Sequence, residues 1–162
     1  MREEQERESS EWNVRELSAG EFDALSAASE YGGFQQTSEM AALAQSEGMQ
    51  TQYVGLVDSH DVPVAGALVA FSQGRFGVEG SLWLGPLCNG NDGEQMTALT
   101  DGLREVAERV HAISLTCWPN QVYCVRDSQG KVMAEPNDEM VREYERLGWK
   151  HAGFARGYGA LM

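Results

Sequence analysis

Thr37 and Ser38 follow Phe34-Gln35-Gln36 at the head of a helical stretch. Hydroxyls beside free helix N–H groups can hold an anionic ligand; they can equally serve as a plain helix cap. Gly85-Pro86 ends an extended stretch and either shapes a cleft wall or simply stops a ladder, since proline cannot continue one. Trp118-Pro119-Asn120 closes a second strand-like run, at the kind of strand end where open α/β sheets place ligands. An indole there can stack on a uracil or sugar ring, the alternative being partly buried packing. Arg156, beside Gly157-Tyr158, pairs a cation with an aromatic ring close to a cleft edge, unless it is an ordinary solvated arginine. Thr37, Ser38, Gly85, Pro86, Trp118, Asn120 and Arg156 therefore form the candidate substrate-binding set, and none of them is assigned a catalytic role.

Other chemistries find little support. Cys88, Cys117 and Cys124 match neither a zinc knuckle nor a redox CxxC, and His60, His111 and His151 form no HxH or HxxxH pair. Cys117 is read as a small core residue. There is no GxxxxGK[ST] or GxGxxG phosphate loop. No cofactor and no metal are expected. The balance of 25 acidic against 12 basic residues gives a net charge of -13, and no cation stands between Arg15 and Arg75. Phosphate backbones are gripped mainly by Lys and Arg, so an autonomous nucleic-acid binder is excluded. No run reaches the ~18 apolar residues of a membrane span, and Met1–Arg7 has no signal-peptide core, so stable membrane insertion is not expected and the reading is cytoplasmic.

The elements that would position these residues fit one domain of 162 residues, 42% apolar. Residues 1–11 read as a disordered leader. Trp12–Leu17 alternates as a short strand, and Ser18 with Glu21 makes a capping-box pattern before a helix ended by Gly32-Gly33. A second helix runs from Thr37 or Ser38 to Gly48. Gln52–Val57, Val62–Phe71 and Arg75–Leu84 read as three strands joined by two hairpin connections, with Asn89–Gly93 a loop. Met96, Leu99, Leu103, Val106 and Val110 mark a helix, and Ala112–Cys117 a buried strand. Met140, Val141, Tyr144 and Leu147 give a last helix closed by Gly148, and Trp149, Ala152 and Phe154 a last strand. The order β-α-α-β-β-β-α-β-α-β predicts an α/β fold, a mixed β-sheet flanked by helices.

That order resembles the GNAT (acyl-CoA N-acyltransferase-like) fold. Phe34-Gln35-Gln36-Thr37 opening a helix, Gly85-Pro86 after the third central strand, Pro119 after the next, and Leu147-Gly148-Trp149-Lys150-His151-Ala152-Gly153-Phe154 resemble the FemABX family. These are peptidoglycan interpeptide-bridge aminoacyltransferases, and the likeness runs from about Trp12 to Gly157. It implies transfer of an amino acid from aminoacyl-tRNA to the stem peptide of a UDP-linked or lipid-linked muramyl-peptide precursor. It also implies that residues 12–162 correspond to the first of two related domains. The second is absent, so this domain is expected to be inert alone and the tRNA to be held by the missing half. Three positions depart from the family pattern. Ala44 stands where a lysine meets the precursor's diphosphate, Leu84 where an arginine precedes Gly-Pro, and Trp118 where an aspartate faces the cleft. These losses keep two other readings in play: a non-catalytic binding domain of the same fold, and a small-molecule N-acetyltransferase. The second is opposed by the segment Gly85–Gly93, which lacks the basic glycine-rich loop that acyl-CoA users need.

Overall fold

The computed structural model describes residues 12–88 and 93–153. The expected leader, most of the Asn89–Gly93 loop, Phe154 and Arg156 lie outside the described residues. The chain divides into two compact units between Asn120 and Gln121. The first holds β1 (Asn13–Glu16), α1 (Ala19–Ala28), α2 (Ser38–Ser46), β2 (Gln50–Val57), β3 (Pro63–Gln73), β4 (Val78–Leu82), β5 (Leu87–Cys88), α3 (Gly93–Arg109) and β6 (Ala112–Cys117). The second holds α4 (Asp138–Arg146).

The strands form one mixed sheet in the order β1-β2-β3-β4-β6, with β5 added beside β3. All pairs are antiparallel except β4 with β6. The expected α/β sheet flanked by helices is the fold observed. β3 is its centre, and Ala65–Phe71 are all buried, as a strand covered on both faces requires.

The faces can be assigned from close approaches. A Cβ on Gly102 of α3 would strike Val14 of β1; Val14 is opposite Leu56, and Leu56 opposite Ala65. Alternation then sets Ala65, Ala67, Val69 and Phe71 under α3. Gly66 approaches Leu25 of α1, so Gly66, Leu68 and Ala70 look toward α1 and α2. On that side Leu17, Phe22, Ala41, Val57, Leu68 and Leu87 form a core cluster, edged by Leu25, Met40 and Tyr53. The Phe22 and Tyr53 rings stack at 4.9 Å.

Local signals explain most element ends. The Ser18–Glu21 capping box is present, with the Ser18 N–H donating to Glu21 Oε2 at 2.8 Å and the Glu21 N–H to Ser18 Oγ at 3.3 Å. Gly48 ends α2 in the left-handed region, its N–H on Gln45 O and the Met49 N–H on Ala44 O, a Schellman closure.

Four expectations need correction. α1 stops at Ala28 rather than at Gly32-Gly33, because the chain folds back so tightly that a Cβ on Gly32 would lie 1.9 Å from Ser26 O. Arg75 and Phe76 belong to a turn rather than to the third central strand, closed by Gly74 N–H on Gly77 O at 2.8 Å. β5 is an additional strand, formed when a cis Gly85–Pro86 bond returns the chain to β3. The strand expected from Trp149 does not form over Trp149–Gly153. Trp149 is instead spent on the closure of α4, its N–H on Tyr144 O at 3.1 Å and its ring edge-on to Tyr144 at 6.3 Å, with Gly148 at φ 93°.

Within the second unit, residues 121–137 make an antiparallel excursion. Its turn is organised by Asp127, whose carboxylate accepts from the N–H groups of Gln129 and Lys131. The Met133 N–H bonds Val125 O and the Asn137 N–H bonds Tyr123 O. Asn137 caps α4, and the Tyr123 hydroxyl donates to Asp138 at 2.7 Å, which raises the phenol's pKa.

Candidate functional site

β4 leaves β3 after Ser81, and β5 rejoins it only at Gly66. Between these points Leu68 would face an empty ladder. The side chain of Gln36, fully buried, fills it. Its Oε1 accepts from the Leu68 N–H at 2.9 Å, and its Nε2 donates to Leu68 O at 3.4 Å and to Trp83 O at 2.9 Å. A primary amide thus takes the place of a missing peptide group. Gly85 packs on it so closely that a Cβ there would lie 2.8 Å from the Gln36 carboxamide. Leu84, at φ 49°, and the cis Gly85–Pro86 bond carry the chain round this plug.

Thr37, next in sequence, is the N-cap of α2. Its Oγ1 accepts from the Met40 N–H at 3.3 Å and donates to Phe34 O at 2.7 Å. Ser38 is bound twice by Asp23 of α1, through its N–H at 2.7 Å and its hydroxyl at 2.5 Å. A carboxylate therefore already occupies the anion position at this helix start, and the capping reading of Thr37-Ser38 fits better than anion capture. Arg15, the last cation before Arg75, is likewise committed, to Glu21 at 2.7 Å and Asp61 at 2.8 Å. That pairing and the Ser18 hydrogen bonds hold the Glu21 carboxyl down to about 2, and the two carboxylates raise the guanidinium's pKa.

The remaining candidates stand at the end of β6. The Trp118 N–H donates to Leu82 O at 3.1 Å, extending the parallel ladder one step, and its indole is 48% exposed. The Asn120 Nδ2 donates to Tyr31 O at 3.0 Å, tying this end to the loop before α2. Phe34, on the same loop, is 61% exposed. Thr37, Ser38, Gly85, Pro86, Trp118 and Asn120 thus come together around the ends of β4 and β6, with Gln36 and Asn120 as the links. Gln36 and Asp23 are the residues that sequence reasoning passed over. The signal for Gln36 was its place in Phe34-Gln35-Gln36-Thr37; Asp23 gave none.

The chemistry available here is hydrogen bonding and stacking. Burial pushes the Cys117 thiol up to about 12, so it carries no thiolate at neutral pH. No group of three or more metal-ligating side chains is present among the described residues. Ala44 is 1% exposed, where a lysine ammonium could not stay solvated, and Leu84 takes the left-handed conformation in the turn before Gly85.

The FemAB family matches residues 17–162. The chain belongs to the FemAB family. Among solved structures, this FemAB domain is similar to FemX, with a TM-score of 0.72 and 18% identity over 91% of the chain. It spans 34% of the length of FemX. It is also similar to a probable acetyltransferase (TM-score 0.59, 9% identity, 93% of this chain and 97% of that one). Glucosamine-6-phosphate N-acetyltransferase from Arabidopsis thaliana gives a TM-score of 0.57 at 9% identity, over 90% of this chain and 96% of that one. No curated protein sequence matches the FemAB domain. The fold is thus that of the GNAT-type acyltransferases, and it corresponds to one part of the larger FemX chain. No helix among the described residues is long and apolar enough to cross a membrane.

Proposed function

We propose that this FemAB domain is the first, acyltransferase-like domain of a peptidoglycan interpeptide-bridge aminoacyltransferase, and that it is inert alone. The match to the FemAB family over residues 17–162 carries the reading. In the reaction, an amine on the stem peptide of a muramyl-peptide precursor attacks the ester carbonyl of an aminoacyl-tRNA. A tetrahedral oxyanion forms, the C–O bond to the terminal ribose breaks, and the amine's proton leaves with the ribose oxygen. Such aminolysis needs the reactants placed together and the oxyanion stabilised, more than it needs a nucleophilic side chain.

The surface around Gln36, Gly85 and Trp118 is the proposed precursor contact, with Thr37, Ser38, Pro86 and Asn120 around it; Arg156, outside the described residues, is proposed as a contact on sequence grounds alone. The precursor is UDP-linked or lipid-linked, and the reaction takes place in the cytoplasm. The tRNA's phosphates are held by a part of the enzyme outside this chain, because this one carries a charge of -13 and pairs Arg15 internally. Isothermal titration with UDP-muramyl-pentapeptide, and mass-spectrometric transfer from charged tRNA by the complete gene product, test the reading. Binding to the complete protein and addition of one amino-acid residue are expected. Neither heat nor transfer with that protein removes the assignment.

A second reading, a non-catalytic binding domain of the same fold, is favoured by one observation. The α2 start, where an anionic ligand could sit, is already occupied by Asp23. Robust amino-acid transfer by the complete protein eliminates it.

A further inference from the structure

Asn120 is the last residue of the first unit. It is half-buried, and its Nδ2 donates to Tyr31 O at 3.0 Å, joining groups 89 positions apart in the chain. The bond bears on Trp118, two residues earlier. The Trp118 N–H is fixed on Leu82 O at 3.1 Å. Pro119 brings no N–H, and among the described residues the next hydrogen bond along the chain is made by the Asn120 carboxamide. Trp118 is thus bracketed by two bonds, one to β4 and one to the loop before α2.

That loop consists of two local turns joined at Gly32-Gly33. The first closes through the Gly32 N–H on Ser29 O at 3.1 Å, the second through the Gln36 N–H on Gly33 O at 2.9 Å. The second turn is anchored in the sheet by the Gln36 carboxamide. The first carries Tyr31 O, the acceptor for Asn120. Gly33 stands beside the same side chain, where a Cβ would lie 3.7 Å from Asn120 Nδ2. The two amides divide the work: Gln36 fixes the turn that carries Phe34, and Asn120 fixes the end of β6 against the other turn. Such a bond contributes a modest net free energy. Its larger effect is on preorganisation, because without it a ligand touching Trp118 must first order the chain beyond Pro119. The Asn120 donor is committed to Tyr31 O, so its influence on a ligand passes through Trp118 and not through the reacting atoms.

We propose that Asn120 is a positioning residue: by holding the end of β6 against Tyr31 it presents Trp118 in the arrangement that the precursor binds, and so sets affinity rather than the rate of transfer. The assignment deepens the proposed function and rests on it for the identity of the ligand only.

The test has two arms, each using Asn120→Ala and Asn120→Asp, the second of which keeps the shape of the side chain and loses the donor. In the first arm, nuclear magnetic resonance compares the 15N-labelled 162-residue chains. Both variants should shift the Trp118 indole N–H and speed amide hydrogen exchange at Tyr31 and Gly32 at least about fivefold, with the Leu68 amide unchanged. In the second arm, transfer by the complete gene product is followed against the concentration of UDP-muramyl-pentapeptide. KM should rise about fivefold to tenfold in both variants, with kcat within about twofold of wild type. Loosening that spreads to Leu68, an Asn120→Asp chain indistinguishable from wild type, or a fall in kcat at unchanged KM overturns the proposal. A purely structural staple would lower the urea midpoint and leave KM where it was, which also overturns it. Local loosening in a chain whose complete parent transfers nothing supports the holding role and removes only the aminoacyltransferase reading. Transfer with KM unchanged in both variants does the reverse.

Discussion

Where β4 parts from β3, the polar groups of Leu68 and Trp83 are each bonded by Gln36, a side chain with no exposure to solvent. Where β4 meets β6, the hydroxyls of Ser81, Ser114 and Thr116 have no hydrogen-bond partner among the described residues. The two regions adjoin, yet they treat polar atoms in opposite ways. Leu68 is roofed by α1, α2 and the Gly85–Pro86 turn, so an unpaired amide there has no water to fall back on and must be satisfied internally. Ser114 and Thr116 are exposed, so water can satisfy their hydroxyls. The buried seam must satisfy its polar atoms from within the chain; the exposed hydroxyls beside it need not.

The contrast is tested most severely at Gln36. Gln36→Leu keeps the bulk and removes all three hydrogen bonds, stranding the Leu68 N–H and C=O. The expected loss is about 3 kcal/mol of unfolding free energy, read from urea denaturation followed by circular dichroism. A loss below about 1 kcal/mol would mean that water reaches Leu68 and that the seam is not sealed. Gly85→Ala should cost about 2 kcal/mol, since its methyl would be driven into the carboxamide. In a Gln36→Ser background that cost should shrink by at least about 1 kcal/mol. Strict additivity would show that the two residues do not share one space.

How much of this was legible beforehand follows the same division. Local signals were readable: the Ser18–Glu21 box, the strand over Ala112–Cys117 and the Gly148 stop of α4 form where their residue types place them, but β6 is not the buried strand expected, since none of its residues is buried. The set Thr37, Ser38, Gly85, Pro86, Trp118, Asn120 and Arg156 was named from turn and strand-end chemistry; of these, Gly85 packs on Gln36, next to Thr37, and Asn120 ties the end of β6 to the loop before α2. What was illegible depends on long-range partners. That Gln36 would replace a strand depends on β4 leaving β3 forty-five residues later, which no window around Gln36 contains. The Asp23 carboxylate at the start of α2 depends on how two helices meet. Trp149 looked like a strand residue because its type suits one, but helix closure claimed it first.

A smaller effect is expected at the edge of the roofed half. The Glu21 carboxyl titrates in the folded chain at about 2, against an ordinary 4.5, held down by Arg15 and by the Ser18 N–H and hydroxyl. Its folded pKa is depressed, so its contribution to stability is complete above 4.5 and is lost as pH falls toward about 2. Glu21→Gln retains an acceptor for the capping box but loses the charge that pairs with Arg15. The variant should melt below the wild-type chain at neutral pH, and the gap should close through that acid window. A gap of constant size from neutral pH to the bottom of the window would show that Arg15 does not read the charge on Glu21.

The smallest change is the most informative about the exposed positions of β6. Thr116→Val replaces a hydroxyl by a methyl of the same shape on a strand that favours β-branched residues. At a sealed position such as Gln36, removal of the polar group strands buried partners. At Thr116 it strands none, because the hydroxyl has no hydrogen-bond partner among the described residues. Its expected effect on unfolding free energy is within about 0.5 kcal/mol of zero, measured by the same urea transition. A destabilisation above about 1 kcal/mol would mean that the threonine hydroxyl is enclosed and bonded in the folded chain. Thr116 would then be a second sealed position, and its hydroxyl would belong to the fold as the Gln36 amide does.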